Sequence, residues 1–149
     1  NKPCVPIHAL EALAMNFAGF AGLVCPILDA RRGQVYCAAF DVSSGYPVRA
    51  MEDDAIALSE LLNRLPEDRQ ILFAGDGVEK YAETIQAQMG ARAMIASENL
   101  RDLKPEAVCA LAARKKDEWI PACELRPVYL RKPQAERERN ARLAREAEK

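Results

Sequence analysis

The sequence predicts an α/β protein in which helices flank a mixed β-sheet that contains an antiparallel meander. Two strongly apolar runs, residues 23–29 and 35–41, enclose a short polar connection with Gly33, a pattern typical of a β-hairpin. Because both runs are apolar almost throughout, we expect helices to cover both faces of the sheet. Farther along, residues 72–95 show a strand–helix–strand pattern, which predicts two parallel strands joined by a right-handed crossover.

Before the hairpin, the sequence predicts a short strand and a helix. Residues 4–7 have strand character, but Pro6 confines such a strand to the edge of a sheet or to a strand end. Residues 9–20 are rich in alanine and carry large apolar side chains at helical spacing. The glycines Gly19 and Gly22 predict the end of this helix.

After the hairpin we expect a third strand and a second helix. A Ser-Ser-Gly turn at 43–45 leads into a predicted strand at 46–50, which would complete the meander. Residues 55–65 carry an apolar stripe at helical spacing, and Asp53 and Asp54 are the predicted caps at the start of this helix.

The second half of the chain alternates strands and helices. A compact apolar strand at 70–74 is followed by the turn Gly75-Asp76-Gly77, a helix at 78–89 and a further strand at 92–96. A last helix is predicted at 105–116, where a proline occupies the first position, as is common at helix starts.

The composition changes towards the C-terminal end. Residues 128–130 form the last ordered apolar patch, and Leu143 is the single large apolar residue in 132–149. Such a segment has no face to bury, so we expect a solvated, frayed tail. Its arginines and glutamates nearly balance, which favours a helix with i,i+4 ion pairs over a nucleic-acid-binding arm.

Composition limits the classes of function. Half of the 149 residues are apolar, enough for one domain with a real core. A formal charge of −1 gives no global attraction to nucleic acid or to an anionic membrane. No apolar run approaches the ~20 residues that span a bilayer, and the first residues lack the features of a signal peptide. We therefore expect a cytoplasmic protein without a membrane anchor.

Five cysteines are scattered singly along the sequence, most of them in apolar stretches. An odd number of separated cysteines suits buried thiols in a reducing compartment. Cys25 and Cys37 lie on the two strands of the predicted hairpin, at positions whose side chains face the same side of the sheet. A disulfide between these two cysteines is the alternative.

The hairpin end is the first candidate binding site. Asp29, Arg31 and Arg32 project there, and paired arginines bind carboxylate or phosphate groups in a forked geometry. The alternative is a solvated turn that the Asp29 side chain ties together.

The glycine turn is the second candidate binding site. Gly75, Asp76 and Gly77 lead from a strand into a helix, an arrangement that exposes backbone N–H groups to an anion. The negative charge of Asp76 and the shortness of the motif favour an ordinary strand–helix turn that Asp76 helps to cap.

Nothing in the sequence forms a complete active site. His8 is the single histidine, which excludes two-histidine metal motifs and favours a capping or structural role. Helix capping accounts for the one acidic cluster, Glu52, Asp53 and Asp54. We therefore predict no catalytic residue, no metal ligand and no cofactor.

Five landmarks resemble the TsaB (YeaZ) family, bacterial proteins required for adding the threonylcarbamoyl group to adenosine beside the anticodon of certain tRNAs. The longest landmark is PILDARRGQVYCAAF at residues 26–40. The others follow in the family's order: residues 6–14, Gly75-Asp76-Gly77 with Tyr81, Pro105 with Ala107 and Leu111-Ala112, and residues 127–131. The resemblance covers residues 4–133.

The resemblance implies an actin-like, RNase H-like (ASKHA) fold of two lobes. Residues 1–22 would be the end of the first lobe with the connecting helix, residues 23–131 the second lobe, and residues 132–149 a charged tail. The family's N-terminal half, through which members largely pair with themselves or with the catalytic subunit TsaD, has no counterpart in this sequence. Because the sequence does not begin with Met, we expect a truncated or processed protein.

The resemblance further implies a non-catalytic scaffold subunit that binds TsaD and, in that assembly, the ATPase TsaE. A homodimer is implied for the full-length protein, and no direct tRNA binding is expected from this chain. The alternative function is a nucleotide-binding enzyme, or its remnant, that uses Gly75-Asp76-Gly77 as a phosphate loop. Peptide cleavage is a weaker alternative, because the sequence lacks a set of zinc ligands.

Overall fold

The computed structural model describes residues 2–131 and Arg139. Within them the chain forms a five-stranded sheet, a two-stranded sheet and four α-helices, none of them long and apolar enough to cross a membrane. In chain order the elements are β1 (Pro3–Cys4), α1 (Ala9–Met15), β2 (Leu23–Asp29), β3 (Gln34–Asp41), β4 (Val48–Ala57), α2 (Leu58–Arg64), β5 (Ile71–Ala74), α3 (Gly77–Met89), β6 (Ala93–Ile95), α4 (Pro105–Arg114) and β7 (Ile120–Pro121).

The predicted hairpin is confirmed and forms the middle of the larger sheet. β2 pairs antiparallel with β3, and Ile27 lies opposite Cys37. β4 continues the meander along the other side of β3, with irregular pairing around Ala39. On the opposite side, β5 pairs parallel with β2, and β6 pairs parallel with β5. The strand order β4-β3-β2-β5-β6 therefore makes a mixed sheet, which confirms the predicted fold class.

Helices cover both faces of this sheet, as the apolar strands predicted. On one face, α2 and α3 pack over a core that includes Ile27, Val35 and Phe73. On the other face, α1 packs over a second core with Val24 and Phe40, and α4 contacts α1. Strand β2 contributes to both cores because its successive side chains point to opposite faces.

The third strand of the meander is longer than the sequence predicted, and it ends later in the chain. It runs from Val48 to Ala57 instead of over residues 46–50, and it pairs with β3 from end to end, with an irregularity in the middle. Asp53 and Asp54 therefore lie within a strand, and the prediction that they cap a helix is wrong. The helix begins at Leu58, after an Ala57 that makes no side-chain capping bond. Pairing with a neighbouring strand outweighed the local capping pattern.

Helix α1 is shorter than predicted, because tertiary hydrogen bonds follow its last turn. It ends at Met15 instead of residue 20. The Asn16 side chain donates to the main-chain carbonyls of Leu100 and Asp102, at 3.2 and 2.8 Å. These bonds tie the end of α1 to the segment that precedes α4.

The ends of the described chain also differ from the prediction. The N-terminal strand is only Pro3–Cys4 and pairs antiparallel with β7. Val128 and Tyr129 belong to the predicted last apolar patch, but they are 65% and 80% exposed. The predictions for the tail 132–149 fall, except for Arg139, outside the residues that the structure describes.

The two hairpin cysteines are buried thiols. No bond joins Cys25 to Cys37, so the disulfide alternative is wrong. Burial raises the pKa of Cys25 well above its ordinary value. Burial, followed by the nearby Asp54 carboxylate, raises the pKa of Cys37 to about 12. Both side chains therefore stay protonated and act as small apolar groups in the core.

The ion pair between α1 and the end of α4 yields a stability prediction. Lys115 Nζ lies 2.9 Å from Glu11 Oε2, and both side chains are largely buried. Removing one partner of such a pair leaves the other charge poorly solvated. We expect Lys115→Met to lower the free energy of unfolding by about 1–3 kcal/mol, measured by urea denaturation followed by circular dichroism.

The matched control for this pair is Glu60→Gln. It breaks the pair between Glu60 and Arg64, whose side chains are about half exposed. A surface pair of this kind contributes about 0–1 kcal/mol. Equal losses in the two variants would contradict the stabilising role of the pair between Glu11 and Lys115.

A second prediction concerns pH. Asp41 accepts hydrogen bonds from the hydroxyl and N–H of Ser43 and from the Arg69 guanidinium. These bonds, the Ser43 hydroxyl first, lower the pKa of Asp41 to about 2. A lowered pKa means that the stabilisation is complete above the unfolded-state pKa of about 3.9 and is lost as the pH falls through about 2.

We therefore expect Asp41→Asn to lower the free energy of unfolding at about pH 5 and to change it much less at about pH 2. Denaturant titrations across this range measure the difference. Asp68→Asn, which removes an exposed carboxylate with no ion-pair partner in the described chain, is the control. Identical pH profiles for the two variants would contradict the role given to Asp41.

Candidate functional site

The two turns singled out from the sequence lie side by side. Asp29 ends β2 and Gly75 follows β5, and these two strands are parallel neighbours, so both turns lie at the same edge of the sheet. The Asp29 N–H donates to Asp76 Oδ1 at 3.0 Å. The six predicted residues, Asp29, Arg31, Arg32, Gly75, Asp76 and Gly77, therefore belong to one surface, which we call the hairpin-end site.

The Asp29 carboxylate organises this surface. It accepts the Arg31 N–H at 3.0 Å, and Lys80 Nζ lies 3.3 Å from both of its oxygens. The Arg31 N–H, followed by Lys80, lowers the pKa of Asp29. The carboxylate is therefore ionised and already paired, and it ties the turn as the sequence alternative proposed.

Lys80 is a site residue that sequence reasoning missed. It lies on the first turn of α3, three residues after Gly77, where a side chain can reach back towards the preceding turn. Its spacing from the glycine turn was visible in the sequence. Its partner Asp29, 51 residues away, was not.

The turn itself holds two arginines in an unusual conformation. Arg31 and Arg32 have φ angles of +62° and +54°, and Gly33 follows at +74°. A left-handed conformation costs a residue with a side chain about 1–2 kcal/mol. Hydrogen bonds from Ala30 N–H to the Gln34 carbonyl and from Gln34 N–H to the Arg31 carbonyl close the turn. Both arginine side chains are exposed.

A C-terminal arginine supports the turn from a second side. The Arg131 guanidinium donates to the Ala30 carbonyl at 2.9 Å, across 101 residues of sequence. Arg131 belongs to the last of the five sequence landmarks, but no local pattern predicted this contact. The hairpin end is thus held from two other parts of the chain, by Asp76 and Lys80 at the start of α3 and by Arg131 near the C-terminal end of the described residues.

The glycines of the second turn are explained by close packing. Gly75 has a φ of +93°, and a Cβ there would lie 2.3 Å from the Ile27 carbonyl oxygen. A Cβ at Gly77 would lie 3.0 Å from the same oxygen. The Gly75 N–H donates to the Arg101 carbonyl at 3.1 Å. Only glycine lets the chain pass so near to β2.

Asp76 does not cap α3 with its side chain, so that prediction is wrong. It occupies the N-cap position but makes no side-chain capping bond. Its carboxylate accepts the Asp29 N–H instead. A main-chain donor on the neighbouring strand has replaced the helix N–H groups as its partner.

An apolar groove adjoins the hairpin-end site and was not predicted. Its volume is about 800 Å³, and residues 5–10 and 125–131 form much of its wall. Because Arg131 lines the groove and also binds the Ala30 carbonyl, the groove and the hairpin turn are continuous. We call it the α1 groove, since it runs along the start of that helix.

His8 supplies a polar group of the α1 groove. Its Nδ1 lies 2.9 Å from Asp53 Oδ2, and Arg49 also pairs with Asp53. His8 precedes α1 at the N-cap position, but its ring makes no capping bond. The structural role predicted for His8 is therefore a contact with the Asp53 carboxylate on β4. In the described residues, no three His, Cys, Asp or Glu side chains are grouped as metal ligands.

Known proteins resemble this chain in sequence. A family model described as "TsaD: tRNA N6-adenosine threonylcarbamoyltransferase" matches residues 1–139. The chain is also 33% identical over 135 residues to the tRNA threonylcarbamoyladenosine biosynthesis protein TsaB of Bacillus subtilis (strain 168). That match covers 90% of this chain and 58% of the relative, so the chain spans less than two thirds of the relative's length.

Two solved structures share the fold. One is described as an uncharacterized protein with similarity to peptidase YEAZ from Pseudomonas aeruginosa; it has a TM-score of 0.67, 22% identity, and coverage of 87% of this chain and 60% of that one. The other is YeaZ from Pseudomonas aeruginosa, with a TM-score of 0.64, 22% identity, and coverage of 86% and 60%. At this identity the likeness concerns the fold alone, which fits an ASKHA-like architecture.

The close approach at Gly75 predicts a large effect of substitution. Gly75→Ala combines a positive φ with overlap between the new methyl group and the Ile27 carbonyl. Gly19→Ala is the matched control, because Gly19 has nearly the same φ, +91°, and a Cβ there would meet nothing within 4 Å. We expect Gly19→Ala to cost about 1–2 kcal/mol of unfolding free energy, and Gly75→Ala about 1–3 kcal/mol more.

Denaturant unfolding of both variants measures this difference. A similar loss of unfolding free energy in the two variants would show that the positive φ alone explains why glycine is needed at position 75. The close approach of β2 to the Gly75 turn would then contribute nothing to the effect.

Proposed function

The chain belongs to the TsaD-type family, in its TsaB (YeaZ) branch, and from that premise we propose that it is a non-catalytic subunit in tRNA threonylcarbamoyladenosine biosynthesis. Its role is to bind and support the catalytic subunit TsaD, together with the ATPase TsaE in that assembly. We place this function in the cytoplasm, without direct tRNA binding by this chain. Pairing with a second copy is part of the proposal for the longer protein.

The observation that supports a contact between this chain and TsaD, in addition to those that the resemblance places in the N-terminal half, is the exposed arginine turn. Arg31 and Arg32 are held in left-handed conformations, and both project into solvent. Such backbone conformations persist only where the surrounding structure fixes them, and they concentrate at functional sites. A turn that is already ordered loses little conformational entropy on binding a partner.

The polar groups around the turn support a binding role over a catalytic one. The Asp29 carboxylate is paired with Lys80, and the Asp76 carboxylate accepts a main-chain N–H. His8, the single histidine of the sequence, is paired with Asp53. Each group is engaged in holding the fold, whereas the arginine guanidinium groups of the turn point outward with five donors each.

The contacts of the glycine turn bear on the alternative function, nucleotide binding. The Gly75 N–H is engaged by the Arg101 carbonyl, and both glycines face the Ile27 carbonyl. The Asp76 carboxylate adds negative charge where a phosphate would lie. Titration with ATP and ADP, following the amide NMR signals of residues 75–78, separates the two functions. Saturable shifts at micromolar nucleotide would favour the alternative.

The docking proposal predicts a binding defect for turn variants. We expect Arg31→Asn and Arg32→Asn each to weaken TsaD binding by about threefold to tenfold, because each removes one charge–charge or forked contact. Asparagine tolerates the left-handed conformation, so the turn is retained. Isothermal titration calorimetry with purified TsaD measures the affinity.

Lys116→Asn is the matched control, since it removes one exposed cation outside the hairpin-end site. Unchanged affinity in both arginine variants would remove the turn from the interface. If the longer protein that contains this chain neither binds TsaD nor restores threonylcarbamoyladenosine to tRNA in cells lacking TsaB, the proposed function itself is wrong.

A further inference from the structure

One peptide group controls the direction of the arginine turn. It joins Ala30 to Arg31 and so immediately precedes the first left-handed residue, since Arg31 has a φ of +62°. A peptide group is planar and rotates as a unit. Rotating this one changes the φ of Arg31 together with the ψ of Ala30. Its orientation therefore decides whether Arg31 is left-handed and where the Arg31 side chain points.

Two side chains hold the two ends of this peptide group. At one end, the Arg31 N–H donates to Asp29 Oδ1 at 3.0 Å. At the other end, the Ala30 carbonyl accepts the Arg131 guanidinium at 2.9 Å. Among the residues that the structure describes, no main-chain N–H donates to this carbonyl. Asp29 and Arg131 together therefore prevent the peptide group from turning over.

The other hydrogen bonds of the turn do not involve this peptide group. The Gln34 N–H donates to the Arg31 carbonyl at 3.1 Å. The Gly33 carbonyl accepts the Leu58 N–H at 3.2 Å, which continues the pairing of β3 with β4. Loss of the Arg131 contact therefore releases one peptide group and leaves the strand pairing in place.

We propose that Arg131 is a positioning residue for docking at the hairpin-end site. Its guanidinium keeps the peptide group before Arg31 facing one way, and so keeps Arg31 in a left-handed conformation that residues with a side chain disfavour. The inference rests on the proposed function, in which the arginine turn contacts TsaD. A turn fixed beforehand loses less conformational entropy on binding. Arg131 acts through the turn and does not itself contact the partner.

The first experiment observes the turn without TsaD, in the longer protein that contains this chain. Arg131→Met keeps the aliphatic part of the side chain and removes the donor to the Ala30 carbonyl. We expect this variant to show microsecond-to-millisecond exchange at the Arg31 and Arg32 amides, measured by 15N relaxation dispersion, where the unchanged protein shows none. Arg131→Lys retains an N–H donor and abolishes the exchange. Unchanged amide signals along β3 report that the variant is folded.

Arg126→Met is the matched control. Arg126 lies in the same segment as Arg131, and among the described residues its guanidinium donates only to nearby carbonyls, those of Cys123 and Leu125. The substitution removes one cation and so reproduces the change of charge. We expect the amide signals of the arginine turn to stay free of exchange in this variant.

The second experiment tests whether Arg131 acts through the turn. We expect Arg131→Met to weaken TsaD binding by about threefold to tenfold in isothermal titration calorimetry, and Arg131→Lys to restore most of the affinity. In a protein that already carries Arg31→Asn and Arg32→Asn, Arg131→Met causes little further loss, because the guanidinium groups that it positions are absent. Additive losses would mean that Arg131 acts independently of the turn, and they would overturn the proposal.

The two experiments separate failure of this inference from failure of the proposed function. An absence of exchange in Arg131→Met overturns the positioning role, whatever the affinity for TsaD. Exchange in Arg131→Met without TsaD binding by the unchanged protein confirms that Arg131 controls the turn. That second result overturns both its part in docking and the proposed function.

Discussion

The parallel pairing of β2 with β5 is the contact on which the rest of the structure depends. It joins an antiparallel meander to a strand–helix–strand unit and so makes one five-stranded sheet from two local units. At the end of this pairing, Gly75 approaches the Ile27 carbonyl too closely for any other residue type, and a Cβ at Gly77 would be in tight contact with the same carbonyl. The Asp29 N–H then bonds to the Asp76 carboxylate. The pairing of β2 with β5 therefore determines both the fold and the position of the candidate site.

The chemistry of the hairpin-end site follows from how its charges are used. The carboxylates of Asp29 and Asp76 accept main-chain N–H groups, Asp29 also pairs with Lys80, and these contacts hold the turn in place. The arginines Arg31 and Arg32 point outward and remain available. A surface of this kind can recognise an anionic or polar partner without moving its own backbone, so it loses little entropy on binding. That property suits docking better than proton transfer.

The α1 groove shows how far a surface can differ from what composition suggests. The chain as a whole has a formal charge of −1. Locally, however, Arg126 and Arg131 flank apolar side chains, and the Asp53 carboxylate is occupied by His8 and Arg49. The local charge of this surface is therefore positive although the net charge of the chain is negative.

The sequence by itself determined the hairpin, the mixed α/β class and the placing of Gly75-Asp76-Gly77 between a strand and a helix. These features have local causes, namely apolar runs of strand length, turn glycines and helical spacing. Tertiary structure decided the rest. Asp53 and Asp54 became strand residues because β3 offered them a pairing edge, and His8 met Asp53 across 45 residues of sequence. Contacts between distant residues carry no local pattern, so only the folded chain could bring Lys80 to Asp29 and Arg131 to the hairpin turn.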